Sequence, residues 1–98
     1  MTIDKKANGA ELTIALTGRL DTTTAPQLEG ELRTCLAGVT DLCLDFAGLE
    51  YLSSAGLRVI LAAQKVMNRQ GSMIIKNVND TIKEVFDITG FIDILTIE

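Results

Sequence analysis

The sequence predicts an α/β domain. A mixed β-sheet of about four to five strands, opened by an N-terminal β-hairpin, should carry about three to four helices packed mainly on one face. Three observations carry that expectation. Two strand-like runs flank the turn-forming dipeptide Asn8-Gly9. Beyond them, apolar residues alternate between period-two runs and runs spaced by three and four. The chain has 98 residues with no Pro-, Gly- or Ser-rich interval to act as a linker, so residues 1–98 read as one domain.

The elements follow in order. Thr2 to Lys6 reads as a short strand, and Asn8-Gly9 suits a tight hairpin because both residues tolerate positive φ. In the next strand Leu12, Ile14 and Leu16 alternate with small or polar residues, and Gly18 is expected to end it. Thr22, Thr23 and Thr24 are candidate caps for a helix in which Pro26 sits in the first turn and Ala25, Leu28, Leu32, Cys35 and Leu36 share one side. Gly38 is its stop. Asp41 to Phe46 reads as a central strand, followed by a turn from Gly48 to Gly56. The longest helix, from about Ser54 to Arg69, has a broad apolar sector around Leu57, Ile60, Leu61 and Met67. Gly71 closes it, Met73 to Ile75 forms a short strand, and Asn79 or Asp80 caps a third helix bearing Ile82, Val85 and Phe86. After Gly90, Phe91 to Ile97 has the composition of a last strand or of an apolar tail packed on the body. Three helices are too few to cover both faces of five strands, hence the expected open face.

Composition narrows the function. Apolar residues make up 47% and charged residues 22%, a globular balance with an aliphatic core, since Trp is absent. Thirteen acidic residues against nine basic ones give a net charge of −4, and no basic cluster runs along the chain. Nucleic acid and anionic membrane are therefore poor partners. The first ten residues lack an apolar signal core, so a cytoplasmic location is expected. There is no histidine, which excludes histidine-dependent triads and leaves Cys35 and Cys43 without the ligands of a metal site. Both cysteines read as core or near-core residues, and neither a metal nor a cofactor is expected.

One stretch resists a packing explanation: Tyr51-Leu52-Ser53-Ser54-Ala55-Gly56-Leu57-Arg58, where two hydroxyls stand at the start of the longest helix. Either serine can serve as N-cap, which is the least that the helix requires. A hydroxyl there is also placed where a phosphate is tolerated, beside free N–H groups and the positive end of the helix dipole. A nucleophile is the third role, but no glycine stands two residues before either serine and no histidine base exists. Arg58 and Lys65 share a helix face that is either solvated or turned to a partner, and Tyr51 either anchors an interface or covers the core.

Three segments together resemble the anti-sigma factor antagonist proteins, which are single STAS domains. Leu16-Thr17-Gly18-Arg19-Leu20-Asp21 is similar to that family's L-T-G-x-L-D, Ser53-Ser54-Ala55-Gly56-Leu57 to its D-S-[ST]-G-L, and Lys83 to Phe91 to its late helix ending in glycine. The resemblance spans the chain and implies a STAS-like fold without enzymatic activity. It further implies a bacterial partner switch: the unphosphorylated antagonist binds an anti-sigma factor serine kinase, a sigma factor is released, and phosphorylation breaks the complex. Ser54 matches the phosphorylated serine, with Ser53 the alternative. Asp21, Thr22, Thr23, Thr24, Ser53, Ser54, Gly56, Leu57 and Arg58 are the implied partner contacts, on a monomer or weak dimer. Ser53 stands where the family carries Asp, and Ala55 where it carries Ser or Thr. The other reading is a STAS scaffold or regulatory subunit, such as those attached to transporters, with no phosphorylation switch. A nucleotide hydrolase lacks support, since no GxxxxGK[ST] loop is present.

Overall fold

A computed structural model describes residues 1–98 and contains four strands, three α-helices and one 3-10 turn. Strand β1 (Thr2–Asn8) and strand β2 (Glu11–Leu20) form the hairpin. Asn8 pairs with Glu11, so the two-residue loop is Gly9-Ala10 and not the expected Asn8-Gly9. Gly9 alone takes a positive φ, +62°, as the first central residue of a type II′ turn must. Helix α1 (Ala25–Cys35) leads to strand β3 (Asp41–Leu52), helix α2 (Ser54–Gln70), strand β4 (Ser72–Lys76) and helix α3 (Asp80–Thr89). The sheet order is β1-β2-β3-β4, with β1 antiparallel to β2 and the other pairs parallel.

Side chains alternate across this sheet as period two demands. Leu12, Ile14 and Leu16 of β2, Leu42, Leu44 and Phe46 of β3, and Met73 and Ile75 of β4 are all buried beneath the helices. Thr13, Ala15, Cys43, Asp45, Ile74 and Lys76 lie half-buried on the opposite, open face. From the helix side, Leu28 and Leu32 of α1, Ile60 and Met67 of α2, and Ile82 and Phe86 of α3 complete one apolar cluster. Burying each such side chain contributes about 1.5–3 kcal/mol. The Phe46 and Phe86 rings, with centroids 6.4 Å apart, join β3 to α3.

Several boundaries differ from expectation. β2 does not end at Gly18 but runs to Leu20. β3 does not stop at Phe46; it continues through the stretch expected as a turn and ends at Leu52. The register explains this. Ala15 faces Asp45 while Thr17 faces Gly48, and Gly18 faces Leu49 while Arg19 faces Tyr51, so β3 carries two extra residues in two bulges. The Asp45 carboxylate stabilises the first bulge by accepting from Ala47 N–H at 3.0 Å and Asn77 Nδ2 at 2.9 Å. Gly48 fits there because a Cβ would lie 2.9 Å from Thr17 Oγ1.

No fifth strand forms. Phe91–Asp93 makes a 3-10 turn, and the tail then touches β4 through a single parallel bridge from Ile97 to Ile75. Cys35 packs at the margin of the core and Cys43 sits on the open face; partial burial pushes both thiols up.

The carbonyl ends of the parallel strands carry the helix starts. Asn79 fixes the third of these twice: its Oδ1 accepts from Ile82 N–H at 2.8 Å, and its Nδ2 donates to the Leu49 carbonyl at 2.9 Å. The first bond caps α3 and the second ties it to the bulged part of β3. Asn79→Ala should lower stability by about 1–2 kcal/mol, read from the urea midpoint. A midpoint unchanged within error would show that neither bond matters.

Candidate functional site

The two segments singled out in the sequence meet at one end of the sheet, beyond Leu20 and Leu52. Asp21 through Thr24 form the turn into α1, while Ser53 alone joins β3 to α2, which Ser54 opens. The expected threonine cap of α1 is not what holds that turn: Thr24 precedes the helix, yet its side chain makes no capping bond. Asp21 does the work. Its Oδ1 accepts from Thr23 N–H at 3.0 Å, Thr23 Oγ1 at 2.7 Å and Thr24 N–H at 3.2 Å. In return, Asp21 N–H donates to Thr24 Oγ1 at 2.8 Å, and Thr24 Oγ1 donates to the Arg19 carbonyl at 2.8 Å. Thr22 is exposed and outside this network.

Those donors, the Thr23 hydroxyl foremost, hold the Asp21 carboxyl below its usual range. A lowered folded-state pKa stabilises the fold wherever the group is ionised, fully above the unfolded value near ~3.9. That contribution disappears as pH falls through the folded value. Asp45, lowered chiefly by its bond from Asn77, acts in the same window. Asp21→Asn should therefore flatten, without abolishing, the fall of the urea midpoint below about pH 4. An acid limb identical to wild type would rule out the Asp21 contribution.

At α2 the two serines divide. Ser53 is the N-cap, with extended backbone, and its Oγ accepts from Gly56 N–H at 3.4 Å. Its N–H donates to the Leu20 carbonyl at 2.9 Å, and its carbonyl accepts from Leu57 N–H at 2.9 Å. Ser53 is half-buried, and its N–H, carbonyl and hydroxyl oxygen are each engaged. Ser54, the first helical residue, is exposed, and its hydroxyl makes no hydrogen bond within the chain. No acidic residue occupies the first turn of α2.

The other implied contacts sort by burial. Gly56 and Leu57 are buried. A Cβ on Gly56 would meet Leu20 Cγ at 2.7 Å and Leu52 Cδ1 at 2.8 Å, so glycine lets α2 start against the strand ends. Arg58 is exposed; with Thr22, Pro26 and Ala55 it lines a hollow of about 220 Å³ between the starts of α1 and α2. Thus Thr22 and Arg58, distant in sequence, line one hollow with Ala55, the residue after Ser54.

Sequence reasoning missed Arg19. It faces Tyr51 across the β2–β3 pair, and its guanidinium lies 4.2 Å from the Tyr51 ring centroid while its Nε is 3.7 Å from Asp21 Oδ2. The stack holds two exposed side chains together one residue before the ends of β2 and β3. No signal in the sequence joins them, because the bulges of β3 set that register.

Comparisons with known proteins agree with this architecture. A family model described as "Mlab, STAS domain" matches residues 3–96. BtrV of Bordetella bronchiseptica, assigned as an anti-sigma factor antagonist, is 36% identical over 88 residues, covering 88% of this chain and 76% of that protein. The anti-sigma-B factor antagonist of Bacillus subtilis is 30% identical over 96 residues, covering 97% and 88%. Among solved structures, SpoIIAA in its unphosphorylated form superposes with a TM-score of 0.78 at 20% identity, over 99% of this chain and 87% of that one. The phosphorylated form of the Bacillus cell fate determinant SpoIIAA gives 0.77 at 21% identity, over 99% and 91%. An anti-sigma factor antagonist from Mycobacterium paratuberculosis gives 0.88 at 20% identity, over 98% and 83%. No helix is long and apolar enough to cross a membrane.

Proposed function

Because this chain belongs to the STAS domain family, among relatives named anti-sigma factor antagonists, we propose that it binds an anti-sigma factor serine kinase and thereby releases a sigma factor. Phosphorylation of Ser54 ends the interaction. In the kinase step the γ-phosphoryl group of ATP passes to Ser54 Oγ: the bond to the bridging oxygen of ADP breaks, the new P–O bond forms, and the hydroxyl proton leaves with a base of the kinase. The chain itself acts as a single-domain cytoplasmic regulator with no catalytic role.

The observation that carries this reading is the inequality of the two serines. Ser53 is occupied as a cap and half-buried, whereas Ser54 is exposed and its hydroxyl is free. A kinase needs an accessible hydroxyl that can enter its site without unfolding the helix. Asp21, Thr22, Thr23, Thr24, Ser53 and Arg58, on the turn into α1 and at the start of α2, are the proposed contacts beside Ser54, with Gly56 and Leu57 as buried supports.

The test uses wild type, Ser54→Ala and Ser54→Asp as bait in the source organism, with phosphosites mapped by mass spectrometry. The expected result is a phosphate on Ser54 and a kinase retained by wild type and Ser54→Ala but recovered in lower yield by Ser54→Asp. Identical recovery by all three, with no phosphoserine, would leave the scaffold or regulatory-subunit reading in its place. Phosphate on Ser53 would move the site by one residue.

A further inference from the structure

From the surface between α1 and α2 we infer a second contact area, a trough that accepts an acidic amphipathic helix of a protein partner. The hollow beside Ser54 opens, through the shared residues Glu29 and Val59, into a cavity of about 480 Å³ that continues along both helices as far as Gln70. Ala55, Val59, Ala62 and Val66, spaced by four, three and four, make an apolar stripe along the α2 side. Ala62 is exposed and Val66 is 39% exposed, so the stripe is not closed by the chain itself.

Charge identifies the occupant. On α2, Arg58, Lys65 and Arg69 lie seven and four residues apart beside that stripe, all exposed, and the helix contains no acidic residue. None of the three enters an ion pair. Opposite them on α1, Glu29 is already paired with Arg33 at 2.8 Å. A chain whose net charge is −4 thus concentrates three unpaired cations along one edge of an apolar trough. The complement is a helix with apolar residues at i, i+3 or i+4 and i+7, flanked by carboxylates. Arg58 is shared with the candidate contacts of Ser54, but Ala62, Lys65, Val66 and Arg69 lie about one to three turns beyond it along α2, so the trough and the switch can fail separately.

The test uses the full-length protein and two fluorescein-labelled peptides of about 15 residues, helical with a leucine stripe, one flanked by Glu and the other by Lys. Fluorescence polarisation should show the Glu peptide binding at least about tenfold tighter, with the difference shrinking in high salt. Amide shift changes in an NMR titration should map to Val59, Ala62 and Val66. Ala62→Glu should weaken Glu-peptide binding at least about tenfold, and combined Arg58→Gln, Lys65→Gln and Arg69→Gln should remove the preference between peptides. All these positions are exposed, and circular dichroism verifies folding of each variant. Equal affinities for the two peptides, or shift changes on the open face of the sheet, would overturn the inference. So would self-association lost in Ala62→Glu, which would make a second copy the occupant. Peptide binding by the Ser54→Ala variant matches wild type if the trough is independent of the switch, whichever serine carries phosphate.

Discussion

Gly71→Ala should destabilise the protein by about 3 kcal/mol or more, the largest loss expected of any glycine replacement in the chain. The sequence marks Gly71 as the end of a helix, but its packing is the stronger constraint. A Cβ at this position would lie 1.9 Å from the Thr40 carbonyl oxygen and 2.6 Å from its carbon. Backbone cannot rotate away as a side chain can. The same carbonyl accepts from Ser72 N–H at 2.9 Å, and Thr40 N–H donates to the Ala10 carbonyl at 2.9 Å. Moving Thr40 would therefore disturb the entries to β3 and β4 together. At Gly56 the obstructing atoms belong to leucine side chains, so Gly56→Ala should cost less, about 1–3 kcal/mol. At Gly30, within α1, nothing lies within 4 Å, and Gly30→Ala should stabilise by up to about 1 kcal/mol. Urea midpoints of the three variants should fall in that order. A Gly71→Ala midpoint within 1 kcal/mol of wild type, on the scale of ordinary surface substitutions, would mean that the two strand entries are not so close.

The contrast between these glycines shows what a sequence can reveal. Helix α2 is legible from its apolar sector, which spans many residues and tolerates errors at either end. β3 is legible only as far as Phe46, where alternation stops. Its next buried residues, Leu49 and Leu52, follow at spacings of three because each bulge inserts a residue and changes the phase. A spacing of three reads as neither strand nor helix over so short a run. The tail from Phe91 has strand composition but forms one bridge, since β-propensity reflects the packing that a site supplies. At the candidate site, the serine pair is visible as an excess of hydroxyls at a helix start. The difference between the serines is not, because it depends on where β3 ends. Had the strand stopped at Phe46, Ser53 would not receive its ladder bond to Leu20 and the cap could fall elsewhere.

That difference frames the largest functional effect. If phosphorylation converts a complex from about 99% bound to about 99% free, the phosphate must change affinity roughly 10⁴-fold, or about 5.5 kcal/mol. Calorimetry of the purified kinase with Ser54-phosphorylated chain should approach that loss. Ser54→Ala should remain within a few-fold of wild type, and Ser54→Asp should fall between, since it brings one charge where phosphate brings about −1.5 to −2. Unfolding would not supply this energy. A phosphate on the first residue of α2 meets the positive end of the helix dipole, and no acidic side chain in that turn repels it. The phosphorylated chain should therefore melt no lower than the unmodified one, and the lost affinity must arise at the interface, where a dianion replaces a neutral hydroxyl. Ser53→Ala should behave in the opposite way: it removes the cap, costs about 1 kcal/mol of stability, and leaves phosphorylation of Ser54 intact. A phosphorylated chain that melts well below wild type would instead place the switch in the fold, with release driven by loss of the first turn of α2.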